Sequence, residues 1–308
     1  MKRKALFFLT IVLAFSLSLT AYSATKYSRF RTESGIRIRP GVSSNTIRLD
    51  NGRFRMYYTD QGIKVSDSAK GRVFTNERRV LSLSQVRAVF PKITKISNSA
   101  IFQLKDDRWR MIFEGKSGRG DRAPRRLYGA ISADGVSGFV VESGVRLQDR
   151  DKSGAIFAAV PDVVRFRYRR LRVYYTAGLW SRSAVSRDGG LAWTKEGDLR
   201  LRPGRRLTTM VDADVTKVGR KYVLLFATMP LTGGEVGTQG RVPLQKIYRA
   251  FSKKGRNFKL AGLRITLPGA NAIDPDMVRR GRGKRSRIYF SRMKRDARTS
   301  DILSALYR

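Results

Sequence analysis

Beyond roughly the first forty residues the chain alternates short apolar and aromatic runs with polar turns. One run recurs at five places: Arg55-Met56-Tyr57-Tyr58, Arg110-Met111-Ile112-Phe113, Arg172-Val173-Tyr174-Tyr175, Tyr222-Val223-Leu224-Leu225 and Arg287-Ile288-Tyr289-Phe290. β-Branched and aromatic residues suit a half-buried pleated surface, so each run predicts a strand. Shortly before each, another strand begins at Asn45, Ser99, Asp162, Asp214 or Asp276, and the turn residues between them predict a hairpin. A third strand ends at a serine in Val65-Ser66, Ile131-Ser132, Val185-Ser186, Phe251-Ser252 and Leu303-Ser304. In the first four units a polar or glycine turn and a further strand-like segment follow.

Units starting at residues 45, 99, 162, 214 and 276 have the spacing of a repeat architecture. Four meandering strands per unit make a propeller blade. The predicted fold class is therefore all-β: a five-bladed β-propeller of four-stranded antiparallel blades. The fifth unit stops after its third strand, so the ring is expected to close with an N-terminal strand at residues 34–39, where Ile36 and Ile38 alternate with Arg37 and Arg39. No helical periodicity extends over fifteen residues after the first segment.

That first segment has its own pattern. Lys2, Arg3 and Lys4 precede an apolar run to Ala21, and Ala21 and Ser23 offer small residues for cleavage. Residues 1–23 thus predict a secretory signal peptide and a secreted or periplasmic protein, with residues 24–308 as one propeller domain and no membrane span once the signal is removed.

Composition sharpens this picture in two ways. Sixty-four Lys and Arg against 24 Asp and Glu give a formal charge of +40, spread through the strands as a basic surface rather than gathered in one arm. Such a surface attracts anionic polymers in a salt-dependent way. The chain also has no Cys and no His, which excludes disulfides, thiolate or histidine metal sites and His-dependent serine triads. No glycine-rich loop stands at a strand-to-helix junction, so neither a phosphate cofactor nor a metal is expected.

Two motifs carry resemblances. Ser186-Arg187-Asp188-Gly189-Gly190-Leu191-Ala192-Trp193 resembles the Asp box of sialidases and other propellers, a turn in which Ser and Asp satisfy backbone donors and the aromatic ring packs beneath; Ser132 to Phe139 and Ser252 to Phe258 are degenerate copies. The five-unit pattern as a whole resembles the superfamily of five-bladed propeller glycosidases that holds arabinanases, xylosidases, levansucrases and invertases. That resemblance implies a central cavity whose carboxylates, at the starts of the innermost strands, cleave or transfer glycans.

Independently of any family, acidic residues are scarce here, yet Asp162, Asp212, Asp214, Asp274 and Asp276 fall at equivalent points of three units. Converging inner strands would bring them to one rim. Crowded carboxylates divide into a protonated acid and an ionised partner, the division glycoside hydrolysis uses. The expected catalytic residues are Asp162, Asp214 and Asp276, with Glu114 or Asp212 as proton donor; Asn45, Ser99 and Asp274 are expected to line the substrate site. Asn45 stands where the superfamily carries a carboxylate, and asparagine cannot act as a base. Two readings therefore stay open: an exported glycosidase on a glycan substrate, and a non-catalytic propeller binding an anionic glycan or other polyanion. A sialidase-like hydrolase is a third, from Arg37-Ile38-Arg39-Pro40 and the abundant Arg and Tyr. A monomer without specific nucleic-acid binding is expected in each case.

Overall fold

A computed structural model describes residues 30–120, 122–166, 170–202, 207, 209–228, 244–281, 286–294 and 300–307. The expected signal peptide, residues 1–23, lies outside them. Strand β1 (Phe30–Thr32) is the first of the described strands. Blade I is then β2 (Val42–Arg48), β3 (Phe54–Thr59), β4 (Ile63–Ser68) and β5 (Thr75–Leu81). Blade II is β6 (Ile93–Gln103), β7 (Trp109–Ser117), β8 (Arg125–Ser132) and β9 (Val140–Val141). Blade III is β10 (Ala159–Phe166), β11 (Arg170–Ala177), β12 (Trp180–Ser186) and β13 (Thr194–Asp198). Blade IV holds β15 (Val211–Val218), β16 (Lys221–Thr228), β17 (Lys246–Ser252) and β18 (Asn257–Ile265), plus an extra edge strand β14 (Arg200–Arg202) that pairs parallel with β18. Blade V is β19 (Ala270–Val278), β20 (Arg287–Lys294) and β21 (Asp301–Tyr307), completed by β1. The fold is the all-β five-bladed propeller that the repeat predicts. Among the described residues no helix is long and apolar enough to cross a membrane.

The ring closes through the N-terminal segment, although the pairing strand is Phe30–Thr32 rather than residues 34–39. Gly35 takes a left-handed backbone (φ 81°) and bends the chain after Glu33, which leaves Ile38 a single bridge to Ile302 further along β21. A short helix, α1 (Leu83–Val89), lies between blades I and II. Ser82 and Gln85 cap it reciprocally, a capping box legible in Ser82-Leu83-Ser84-Gln85.

The recurring second-strand runs fill the spaces between blades. Tyr57, Tyr174 and Tyr289 are fully buried, and each hydroxyl donates to a backbone carbonyl in the next blade: Gly135 at 2.5 Å, Gly255 at 2.9 Å and Gly71 at 2.7 Å. Each carbonyl belongs to the turn after that blade's third strand. There Ser68, Ser132, Ser186 and Ser252 accept from the N–H of Gly71, Gly135, Gly190 and Gly255. A Cβ at Gly71 would stand 2.5 Å from the Tyr289 hydroxyl, so the close approach requires glycine. Asp188 accepts the N–H groups of Leu191 and Ala192 in the same kind of turn.

The arginines that open these runs work alongside. Arg110, Arg172 and Arg287 each form a bidentate pair with a carboxylate of their own blade's outer strand or of the residues beside it (Glu142, Glu196 and Glu33), and each donates to a neighbouring blade's turn at Gly189, Lys254 or Lys70. These pairs are largely buried, and breaking one by removing a partner costs about 3–5 kcal/mol. Among the described residues no such turn joins blade IV to blade V.

Candidate active site

All five innermost strands carry the same irregularity. Against the neighbouring strand the register slips by one residue between Val42 and Asn45, Ser97 and Ser99, Ala159 and Asp162, Val211 and Asp214, and Ile273 and Asp276. One residue in each bulge has positive φ: Ser43 (53°), Asn98 (47°), Val160 (47°), Asp212 (53°) and Asp274 (48°). A left-handed backbone costs a non-glycine residue on the order of 1–3 kcal/mol, least for Asn and Asp. Five such bulges around one axis turn both backbone and side chains inward, and they separate the inner-strand residues into two tiers.

The lower tier clasps blade to blade. Asn45 Oδ1 accepts the Ile101 N–H at 3.0 Å, Asp162 Oδ2 the Val215 N–H at 2.8 Å and Asp214 Oδ2 the Met277 N–H at 3.2 Å; Asp276 Oδ2 accepts the Thr46 hydroxyl at 2.6 Å. Each side chain thus reaches the next blade around the ring. Blade II has Ala100 at this position, since Ala100 faces Ile112 as Asn45 faces Tyr57. Ser99, aligned with Asn45 by the sequence repeat, is one residue out of step. Asn45 does what its aspartate counterparts do, because a carboxamide oxygen accepts an N–H as a carboxylate does.

In the upper tier the bulge N–H groups are taken by the ends of the second strands. Asn98 N–H donates to Thr59 Oγ1 at 2.9 Å, Asp212 N–H to Thr176 Oγ1 at 3.0 Å, Ser43 N–H to Ser291 Oγ at 2.9 Å and Val160 N–H to Glu114 Oε2 at 3.3 Å. Glu114 is the acidic member of an otherwise hydroxyl-bearing or apolar set. It is 1% exposed, paired with Arg125 at 2.9 Å and bonded by Asn98 Nδ2 at 2.5 Å. Blade IV has Ala227 at that point, with no hydroxyl, and the Asp274 N–H lies toward the Asp212 carboxyl instead.

Asp212 and Asp274 are therefore immediate neighbours with unlike surroundings. The Asp274 carboxylate accepts the Ser43 hydroxyl at 2.9 Å, and the Ser291 hydroxyl, which accepts the Ser43 N–H, stands close by. Burial raises its pKa, these two hydroxyls oppose the rise, and the charge of Glu114 adds to it. Asp212 is raised well above the usual carboxylate range by burial and by the charges of Asp274 and Glu114, with a backbone N–H as its opposing bond. In the lower tier burial pushes Asp162 and Asp276 up to about 7 against their hydrogen bonds, and Asp214 is raised by burial and by both of them. Asp214 and Asp276 are buried, whereas Asp162, Asp212 and Asp274 are partly open.

The two tiers line an axial well of about 30 Å³. That is the size of one or two water molecules, not of a sugar ring. No Lys or Arg lines it. Among the described residues no group of three or more acidic side chains is arranged to hold a metal ion. The sequence-predicted residues Asp162, Asp212, Asp214, Asp274 and Asn45 share this well, joined by Ser99; Asp276 lies beside it and Glu114 behind the upper tier. Ser43, Asn98 and Arg125 escaped the sequence reading. Two of them stand two residues before the lower-tier position, which a search at that offset would have found.

No family model matches the chain, and no curated protein matches it. Solved structures do. A GH43_1 enzyme from Xanthomonas citri superposes with a TM-score of 0.64 at 11% identity, covering 89% of this chain and 91% of that one. The fold is that of the five-bladed glycosidase propellers. Bacillus subtilis arabinanase matches with a TM-score of 0.60 at 11% identity over 88% and 96% of the two chains. A family 117 glycoside hydrolase from the marine bacterium Zobellia galactanivorans does so at 0.64 and 14% identity over 91% and 90%. Every one of these propellers spans most of the chain described here, so the likeness is to the whole ring.

Proposed function

We propose that the protein is an exported glycoside hydrolase-like propeller acting on a glycan at the upper tier of the axial well. The observation that carries this reading is the Asp212–Asp274 pair, two carboxyls that line the well together in unlike surroundings. Asp212, raised by burial and by two neighbouring charges, holds its proton and donates it to the glycosidic oxygen as the C–O bond breaks. Asp274, which accepts the Ser43 hydroxyl, serves as the carboxylate that takes a proton from the attacking water. The well admits water but not sugar, which supports water as the nucleophile and a substrate seated over the opening. Glu114, fixed by Arg125, positions the Val160 bulge and supplies the charge that keeps Asp212 protonated. The glycoside hydrolases with the same ring support this class of substrate, and the basic, apolar and small-residue pattern of residues 1–23 supports export.

A second reading, a propeller that binds glycans without turnover, is favoured by the narrowness of the well. One experiment separates them. A panel of aryl glycosides and oligosaccharides should release sugar with the wild-type protein and not with Asp212→Asn. Binding without release across the panel would favour the second reading.

A further inference from the structure

Cavities larger than the axial well lie away from the axis. A groove of about 1080 Å³ lies on the periphery between blades III and IV, and it adjoins a second of about 480 Å³ along the outer strands of blade IV. Both are lined by Arg202, which stands where they meet. The extra strand β14 builds this junction. Its middle residue, Leu201, packs into the apolar core with Phe258 and Trp180, so strand alternation turns Arg200 and Arg202 outward. The parallel register sets Arg200 beside Asn257 and Arg202 beside Lys259, all four exposed.

The result is a small array of three cations and an amide, with about 5 Å between strands and about 7 Å along them. Exposed Lys253 and Lys254 extend it in the second groove. Among the described residues none of these five cations has a carboxylate partner, whereas Arg182 and Lys195, on the blade III side, are held by Asp149 and Arg182 also by Asp198. A fifth strand absent from the other blades thus serves to display unpaired positive charge.

We infer that this face of blade IV, centred on Arg200, Arg202 and Lys259, is a docking site for a polyanionic polysaccharide. The inference rests on the glycan reading for its choice of polymer, and names the charge that polymer carries. Regularly spaced sulfate or carboxylate groups match cations at this repeat, and the partly buried Trp180 lines the groove beside them. The site lies on the outermost strands, away from the axial carboxylates that would repel such a chain.

The full-length protein tests this with heparin as the sulfated probe, dextran as the neutral one and a single-stranded DNA of matched charge as the competing polyanion. The triple variant Arg200→Gln, Arg202→Gln, Lys259→Gln should weaken heparin binding by about ten-fold or more and reduce its salt dependence. A control triple of equal charge on blade I and at the start of blade II, Arg48→Gln, Arg53→Gln, Lys92→Gln, should change it less than about three-fold. Equal losses in the two triples would reduce the effect to net charge and overturn the site. DNA binding as tight as heparin's, with the same loss in the groove triple, would overturn it in favour of nucleic acid. Heparin binding by Asp212→Asn keeps the test separate from the catalytic reading, which stands or falls on sugar release.

Discussion

Two tiers of inner-strand residues, two positions apart in sequence, meet the same axis and are built differently. The lower tier, Asn45, Asp162, Asp214 and Asp276, spends its oxygens on the next blade. The upper tier is held instead by its backbone, where Asn98, Asp212, Ser43 and Val160 donate to Thr59, Thr176, Ser291 and Glu114, and the Asp212 and Asp274 carboxyls both line the well. The difference teaches that a carboxylate at the centre of a ring is not thereby catalytic. What frees a side chain for chemistry is another group doing the structural work, and for Asp212 that group is the Thr176 hydroxyl at the end of the preceding blade's second strand.

The comparison breaks most visibly under charge-neutral substitution in the upper tier. Asp212→Asn removes the proton donor and Asp274→Asn the base, and each should lower turnover by about 10²–10⁴-fold, measured as kcat on whichever aryl glycoside is cleaved. Melting should stay unchanged or rise, since a raised carboxyl is lost. A drop in Tm without loss of turnover would place these residues with the clasps.

Truncation in the lower tier should act on stability. Asp214→Ala leaves the buried Met277 N–H without its acceptor, at a cost of about 1–3 kcal/mol that urea unfolding would read. Asp214→Asn keeps an acceptor, as Asn45 does in blade I, and should be near neutral. If the two variants unfold alike, the clasp is not what Asp214 contributes.

A smaller effect is expected from pH. Asp162 and Asp276 are pushed up to about 7, so the folded state binds more protons than the unfolded chain between about pH 4 and 7. Stability from these groups is present below that window and is lost as pH rises through it. The urea midpoint should therefore be higher at pH 5 than at pH 8, and the double variant Asp162→Asn, Asp276→Asn should flatten the slope. At the acid end the sign reverses. Arg39 and Arg292 hold Asp301 below its usual range, so its contribution disappears as pH falls through its lowered pKa.

The ring was legible because strand composition repeats in every unit and the third strand ends at the expected serine in blades II, III and IV, while in blade I it runs two residues on to Ser68 and in blade V past Ser304 to Tyr307; the carboxylates were legible because acid is rare in so basic a chain. The tiers were not. In a regular strand Asp212 and Asp214, or Asp274 and Asp276, would share a face; the bulge that separates them depends on a left-handed residue, and Ser43 or Val160 does not announce one. Asn45 reads as a failed base until the Ile101 N–H from the next blade is in place. Closure was misplaced by a few residues because the bend at Gly35 ends the alternation of Ile36 and Ile38 as a pairing signal.

The measurement that bears most directly on this division is a matched pair of isosteric variants assayed on one cleaved glycoside. Asp212→Asn should lose turnover by orders of magnitude while Asp214→Asn keeps it within a few-fold, both at wild-type stability. Equal loss in both, or full activity in Asp212→Asn, would contradict the assignment of chemistry to the upper tier.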